Sequence, residues 1–272
     1  MQIRQLRTID EFRQVVDLER EIWGYTSEQD VVPVPIFAVT ARRGGILLGA
    51  FDGQTLAGFA YSIPGFRDGR PLQWSHMLGV AERYRGHGLG FRLKAEQRRR
   101  TLAMGIDLIE WTFDPMQALN AHLNFARLGV VAEDYEENVY GDSTSALHRG
   151  SATDRFIARW WLHAPGVVRR LSEPAGRAVH EIDATGAVEV NSLEPGVEWP
   201  DPGRPVLSLA SPKLLVAIPM GFSEMLAGDP DRARAWRAST RAIFSTYLGR
   251  GYRAVDFLLD RGRHGGSYLL TR

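Results

Sequence analysis

The chain has 272 residues, of which 44% are hydrophobic and 24% are charged, and its formal net charge is +1. This composition is ordinary for a globular protein, and the length suits one large domain or two smaller ones. A net charge so close to zero gives no general attraction to nucleic acid or to an anionic membrane. The chain contains no cysteine, which excludes disulfides, thiolate catalysis and cysteine-ligated zinc.

The first 164 residues alternate between strand patterns and helix patterns. A capping box formed by Thr8 and Glu11 begins a helix that we expect to end near Gly24. Asp52-Gly53 separates two apolar runs and predicts a hairpin. The predicted elements are a strand at 1–6, helices at 8–24 and 36–43, strands at 46–51, 55–62 and 72–80, a helix ending near 104, a strand at 107–113, a helix at 120–128, and strands at 130–140 and 155–162.

The C-terminal part begins with a change in composition. Residues 165–204 contain five prolines and several glycines, and we expect a linker with irregular strands there. A strand at 214–218 follows, and then a helix that is capped by Asp229 with Pro230 at its first position. We therefore expect two domains, 1–164 and 165–272.

The most informative segment is Arg85-Gly86-His87-Gly88-Leu89-Gly90, between a strand pattern and a helix pattern. Its glycines let the backbone approach a ligand closely, and a helix that starts there directs N–H donors at an anion. A P-loop is excluded because the chain has no Gly-Lys pair. The dinucleotide motif is excluded because Phe91 stands where its third glycine is needed. We expect an anion site, with pyrophosphate as the preferred ligand.

The R-x-x-G-x-G pattern of Arg85, Gly88 and Gly90 resembles motif A of the GNAT superfamily, the acyl-CoA-dependent N-acyltransferases. The order of elements over residues 1–164 is similar to the GNAT order. Segments 113–129, 135–141 and 154–156 also resemble a group of GNAT proteins near 270 residues long. The resemblance implies an α+β fold with a mixed sheet and a GNAT domain in the N-terminal part.

The resemblance also implies a co-substrate, acetyl-CoA or another acyl-CoA, and no metal. Backbone N–H groups of the glycine loop would hold the CoA pyrophosphate, and Arg85 would oppose its charge. The edge of the preceding strand would pair with the amides of pantetheine. Asn120 and Asn124, one helical turn apart, would also contact pantetheine. Their alternative interpretation is that Asn120 is a helix N-cap and Asn124 a solvated amide. The expected CoA-binding residues are Leu78, Gly79, Val80, Arg85, Gly86, His87, Gly88, Leu89, Gly90, Phe91, Asn120 and Asn124.

His76 is the preferred general base, because the resemblance places it on the strand that runs beside the thioester. Arylalkylamine N-acetyltransferases are similar to this chain in having a histidine at that offset. Glu110, on the neighbouring strand, is the alternative base, and a solvent-facing strand residue is its other interpretation. The tyrosine that is the usual GNAT acid would fall at Phe125. Tyr140 is therefore the candidate acid, with water as the alternative proton donor.

The acceptor pocket would be lined by Trp23, Tyr25 and Trp74, which favour a small amine. Asp114 would contact the acceptor or open a turn. The expected function is transfer of an acetyl or succinyl group from CoA to the amine of a small molecule, with an amino acid as the first candidate. The alternatives are an acyl-CoA-binding module without turnover and a protein acetyltransferase. We expect a cytoplasmic monomer or homodimer with no nucleic-acid or membrane partner.

Two segments share a helix–glycine–strand pattern. The residues that follow Gly105 and Gly251 carry an acid and an aromatic residue at the same offsets. This similarity suggests that 165–272 is a second, smaller, degenerate GNAT-like half, although any helix–glycine–strand unit would look similar. The second segment has no R-x-x-G-x-G, and we expect it to bind no CoA.

Overall fold

The computed structural model describes residues 1–141, 151–172, 183–262 and 264–272. These residues fall into two units. The first contains 1–111 and 160–172, and the second contains the remaining described residues. The predicted domain division after residue 164 stays a prediction. Within the described ranges, no helix has both the length and the apolar character needed to cross a membrane.

The helices and strands are numbered along the chain. They are β1 Gln2–Gln5, α1 Ile9–Trp23, α2 Val34–Arg42, β2 Ile46–Asp52, β3 Thr55–Arg67, β4 Arg70–Val80, α3 Leu89–Ala103, β5 Leu108–Phe113, α4 Ala118–Ala121, β6 Val131–Glu136, β7 Arg155–Trp161, α5 Pro165–Ser172, β8 Val188–Glu189, β9 Leu193–Glu194, β10 Asp201–Pro202, β11 Lys213–Pro219, α6 Phe222–Gly228, α7 Pro230–Gly249, β12 Arg253–Asp260 and β13 Gly265–Thr271. Helix α4 continues as a π-helical segment, His122–Leu128.

Local sequence signals set the ends of several elements where they were predicted. The Thr8 hydroxyl accepts from the backbone N–H of Glu11, whose carboxylate accepts from the N–H of Thr8, so the capping box of α1 is confirmed. Gly24 ends α1 in the left-handed region, with φ 61°. At α7, Asp229 is the N-cap, and its carboxylate accepts from the N–H of Arg232.

Other elements differ from the prediction for identifiable reasons. Residues 165–172, expected as linker, form α5, because a proline is tolerated at the first helical position. Strands β3 and β4 extend further than predicted, to a tight turn at Asp68 and Gly69, both with positive φ. Pro64 and Gly65 obscured this extension, because both residue types are unfavourable inside strands.

In the first unit the strand order is β1-β2-β3-β4-β5, antiparallel up to β4 and parallel between β4 and β5. Apolar side chains cover both faces of this sheet. One cluster, which includes Phe12, Phe37 and Tyr61, packs under α1 and α2. The other includes Leu48 and Leu93 and packs under α3. The elements of the site therefore rest on a rigid sheet with a helical layer on each side.

In the second unit the strand order is β7-β6-β12-β13-β11-β8, and β9 and β10 form a separate pair. Strand β13 lies between β11 and β12 and is antiparallel to both. In the first unit, by contrast, the strands β4 and β5 pair directly, with α3 between them in the chain. The shared helix–glycine–strand pattern is present, but a second GNAT-like half is not confirmed.

Candidate functional site

The glycine loop leaves the start of α3 without a side-chain cap. Gly88 is the N-cap residue, with φ 71°, and has no side chain to accept from the first helical turn. Gly86 also has positive φ, 80°, and the backbone from Arg85 to Gly88 is exposed. The Arg85 Nε donates to the carbonyl of Val80 at 3.1 Å, which keeps the guanidinium beside the loop. The helix dipole, the first-turn donors and this guanidinium all favour an anion here.

The remaining residues of the loop anchor it to the helix. Leu89 is buried in the cluster under α3, and Gly90 and Phe91 are half-buried in the first turn. His87 is exposed at the tip. The burial of Leu89 in this cluster therefore holds the end of the loop in place next to the first turn of α3.

Strand β4 carries a β-bulge at His76. Tyr61 of β3 lies opposite Met77 and Ser62 lies opposite Ser75, so His76 is an extra residue between two paired positions. A bulge turns its side chain out of the regular alternation and increases the local twist of the strand. The bulge accounts for the exposure of His76 between two buried neighbours, Ser75 and Met77.

Beyond the first few residues, β4 and β5 separate. The two strands pair at Gln73 with Ile109 and at Trp74 with Glu110, and the described residues show no further pairing between them. Leu78, Gly79 and Val80 pair with β3 on one edge only. In the described part of the chain their other edge pairs with no strand and is open to an extended chain.

The surroundings of His76 favour its neutral form. Its ring lies edge-on to Tyr61, with 5.9 Å between the centroids. The Thr40 hydroxyl donates to the carbonyl of Ile36, so Tyr61 is the donor in its 3.0 Å hydrogen bond to Thr40. Although His76 is partly exposed, desolvation by the surrounding protein lowers its pKa. A neutral imidazole at neutral pH can accept a proton from an amine.

Glu110 does not face solvent, as one interpretation expected. Its residue is 4% exposed, and Oε1 accepts from Arg67 Nη1 at 2.9 Å. Deprotonating an acceptor with this carboxylate would require the ion pair to open. His76, on the neighbouring strand, meets no such requirement.

The second unit holds the other predicted residues. Tyr140 is 47% exposed, and its hydroxyl lies 2.6 Å from Thr112 Oγ1. Asn124 is buried and donates from Nδ2 to Asn120 Oδ1 at 3.3 Å. The N-cap interpretation of Asn120 is wrong, because α4 begins at Ala118. The structure thus brings the two asparagines together on one helical face.

Asp114 opens a turn and is held by an ion pair. Its Oδ1 accepts from the N–H of Met116 at 2.9 Å, and both carboxylate oxygens lie 2.7 Å from guanidinium nitrogens of Arg237. Burial raises the pKa of Asp114, but the charges of Arg237 and Arg155 outweigh that effect and lower it. The turn-opening interpretation is confirmed, and this carboxylate is occupied by arginine.

The aromatic residues divide between surface and core. Trp23 stacks on Tyr25, with 6.2 Å between centroids, and both are half-buried, as is Trp74. Phe125 is fully buried and packs edge-on against Phe113 and Tyr268. The position of the usual tyrosine acid therefore belongs to the core of the second unit.

Sequence reasoning missed two buried charged groups in the first unit. Glu19 on α1 is fully buried, its Oε1 accepts from the N–H of Val32, and burial raises its pKa to about 7. Lys94 on α3 is 2% exposed, and its amine donates to Ser75 Oγ at 3.0 Å and Gln97 Oε1 at 2.9 Å. The only available signal was a polar residue on the apolar face of each helix.

No set of three or more His, Asp or Glu side chains is arranged to hold a metal ion in the part of the chain that the structure describes. The features that remain are an anion-favouring loop, an unpaired strand edge and a neutral histidine on the same strand.

Solved structures with a similar fold include several acetyltransferases. A GNAT-family acetyltransferase from Streptococcus pneumoniae is 17% identical, with a TM-score of 0.45, covering 58% of this chain and 97% of the other. The ribosomal-protein-S18-alanine N-acetyltransferase from Escherichia coli is 16% identical, with a TM-score of 0.43, covering 58% and 91%. The PaiA N-acetyltransferase from Thermoplasma acidophilum, solved with coenzyme A, is 18% identical, with a TM-score of 0.41, covering 58% and 96%.

A family model matches the N-terminal part of the chain. Residues 12–129 match the model described as the acetyltransferase (GNAT) family. No curated protein sequence matches the chain significantly. The matched region includes the glycine loop, the bulged strand and Glu110.

Proposed function

We propose that this chain, whose residues 12–129 match the model of the acetyltransferase (GNAT) family, is an N-acyltransferase acting on a small-molecule amine. The donor is an acyl-CoA, acetyl or succinyl, and amino acids are the first candidate acceptors. One observation carries the proposal. Strand β4 presents an unpaired edge at Leu78–Val80 and a bulged histidine at His76, and it leads directly into the anion-favouring loop.

The donor would bind along this path. The CoA pyrophosphate lies against the loop from Arg85 to Phe91, where the helix dipole and backbone donors favour negative charge. Its pantetheine amides pair with the edge of Leu78, Gly79 and Val80. Asn120 and Asn124 are further candidate contacts to pantetheine, because their amides share one helical face.

The acyl transfer needs a base, an oxyanion donor and an acid. His76 accepts the proton from the acceptor ammonium, and the free amine then attacks the thioester carbonyl carbon. A backbone N–H of β4 supports the oxyanion. The C–S bond breaks, and the thiolate takes a proton from Tyr140 or from water. The attacking nitrogen releases its second proton to the group that protonated the thiolate, which gives the neutral amide and restores the donor. Tyr140 is a candidate for this role because it is 47% exposed and carries a phenolic hydroxyl, which lies 2.6 Å from Thr112 Oγ1.

The second candidate function is an acyl-CoA-binding module without turnover. The observation that favours it is Phe125, which occupies the position of the usual acid and is fully buried among other aromatic rings. Phenylalanine cannot donate a proton to the leaving thiolate. The two functions share the CoA site and differ only in whether product forms.

The test measures thiol release from acetyl-CoA and succinyl-CoA across a panel of amino acids and other small amines, alongside the affinity for CoA. His76→Ala should lower kcat about 100-fold, the typical loss for a general base, with the affinity for CoA unchanged. His163→Ala is the matched control, because His163 is an exposed histidine of the same unit outside the site. CoA binding without product for any acceptor would instead support the binding module, and product from peptides alone would support a protein acetyltransferase.

The pH dependence provides a second measurement on the same variants. Because desolvation lowers the pKa of His76, the base stays neutral below the ordinary histidine value of about 6.5. The rate should therefore fall only as pH drops below that value, and His76→Ala should lack this acidic limb. An identical limb in His76→Ala would remove the histidine from the mechanism.

A further inference from the structure

A cavity of about 600 Å³ opens in the first unit, away from the glycine loop. Its floor is apolar and includes Phe12, Ala38 and Ile46, all of which are buried. Its rim is formed by residues near the ends of β1, α2 and α3. The volume is that of a small-molecule site, and the apolar floor suits a hydrocarbon or aromatic body.

The rim carries four arginines and no acidic residue. Arg7, Arg42, Arg99 and Arg100 all line the cavity. Arg99 and Arg100 share one carboxylate, that of Glu96, each at 2.7 Å. In the described ranges neither Arg7 nor Arg42 makes an ion pair. Four arginines thus line the cavity, and one carboxylate pairs with two of them, which leaves an excess of positive charge around an apolar floor.

This cavity is separate from the CoA path. Arg99 and Arg100 lie in the last turns of α3, whereas the glycine loop precedes its first residue, Leu89. At 1.5 Å per residue the two ends of α3 are about 21 Å apart. A ligand in the cavity would leave the start of α3 open, and the two sites can be filled together.

We propose that this cavity is a second ligand site, which binds a small molecule with an apolar body and a dianionic head. The head is a phosphate monoester or a pair of carboxylates, because both match several guanidinium groups at once. The apolar body rests on Phe12 and Ala38. The site does not depend on the proposed acyl transfer, since none of its residues belongs to the CoA path or the acceptor pocket.

Isothermal titration calorimetry tests the proposal with phenyl phosphate and phthalate as the two probes and benzyl alcohol as the uncharged control, first without CoA and then at saturating CoA. We expect one or both anions to bind with a dissociation constant below about 1 mM, and benzyl alcohol not to bind. Whichever anion binds more tightly identifies the head group. Absence of binding by both anions, or loss of binding when CoA is added, would overturn the proposal.

Adjacent arginines offer a matched pair of variants. Arg42 lines the cavity and Arg43 does not, yet both are exposed and both lie at the end of α2, where the helix dipole favours a cation. Arg42→Glu should weaken anion binding about tenfold or more, since it removes a charge-assisted hydrogen bond. Arg43→Glu should change it less than about twofold. Equal effects of the two variants on binding would show general surface charge instead of a site, and Arg42→Gln repeats the test if Arg42→Glu unfolds.

Discussion

Helices α3 and α7 have similar C-terminal ends but differ in how their N-termini are capped. Each ends before a glycine in the left-handed region, Gly105 with φ 74° and Gly251 with φ 84°, and each leads into a strand. Helix α3 begins at Gly88, which offers no side-chain cap. Helix α7 begins at Asp229, whose carboxylate accepts from the N–H of Arg232 at 3.1 Å. A side chain of the protein thus caps the first turn of α7, whereas the first-turn N–H groups of α3 have no side-chain cap and are available to an external anion.

The buried basic side chains of the two helices also differ, because one has a charged partner within the protein and the other has neutral partners. Arg237 of α7 makes a bidentate ion pair with Asp114 within the second unit. Lys94 of α3 has neutral hydrogen-bond partners, Ser75 and Gln97, and its Nζ lies 3.5 Å from the centroid of the Trp111 ring. The difference suggests that the buried ion pair of α7 stabilises the second unit, whereas the buried amine of α3 lowers stability in a helix that leads from the candidate site.

The largest expected effect comes from breaking the ion pair of α7. Arg237→Met leaves the buried Asp114 carboxylate with the N–H of Met116 and the partial charge compensation of Arg155, 4.0 Å away. We expect the free energy of unfolding to fall by about 3 kcal/mol, as is typical when one member of a buried pair is removed. Urea denaturation followed by circular dichroism measures the change.

Two further variants make this result specific. Arg234→Met, which removes the exposed arginine that pairs with Asp231 on the same helix, should cost less than about 1 kcal/mol. Adding Asp114→Asn to Arg237→Met should recover much of the loss, because the uncompensated charge disappears. Similar losses of unfolding free energy in Arg237→Met and Arg234→Met would mean that the Asp114–Arg237 pair does not stabilise the second unit specifically.

Two glycines test the start of α3 against the end of α7. Gly86 and Gly251 have φ of 80° and 84°, and an added Cβ would meet no atom within 4 Å at either position. Alanine should therefore cost each the same backbone strain, about 1 kcal/mol of stability. Only Gly86→Ala should weaken CoA binding, by about tenfold, because its Cβ and shifted N–H groups lie where the pyrophosphate is expected. Calorimetric titration with CoA would contradict this if Gly251→Ala lost as much affinity.

The sequence predicted α3, its loop and β4 because their signals are local. The glycines at Gly86 and Gly88 are needed for positive φ, and the segment around them lies within the region that matches a family model. The same kind of signal predicted the Asp229 cap and gave a turn at Asp114 as one of two interpretations. Each of these depends on residues only a few positions apart in the chain.

The features that the sequence did not predict depend on pairing between residues that are far apart in the chain. The ion pair of Asp114 with Arg237 joins positions 123 residues apart, and no local pattern indicates it. The insertion of β13 between β11 and β12 is also invisible to periodicity, since a strand's alternation does not specify its neighbours. The bulge at His76 is a third case, because one extra residue in β4 is recognisable only against its register with β3.

The smallest expected effect tests the cost of the buried amine in α3. Burial lowers the pKa of Lys94 well below its ordinary value, whereas the unfolded chain keeps the amine charged up to about pH 10.4. At pH values between the lowered folded pKa and the unfolded pKa, folding releases a proton, so stability falls as pH drops across that range. Lys94→Met removes this penalty, and Gln97 Nε2 still donates to Ser75 Oγ at 3.1 Å.

Thermal and urea unfolding of Lys94→Met should show a gain of about 1 kcal/mol at pH 7 that shrinks as pH approaches 10. Lys213→Met is the control, because the chain's second lysine makes a surface ion pair with Asp183 and should give no such gain. A loss of stability in Lys94→Met at every pH would mean that the amine holds β4 and β5 in place. A more stable variant with slower acyl transfer would instead indicate that α3 keeps a destabilising lysine because the opening between those strands needs it.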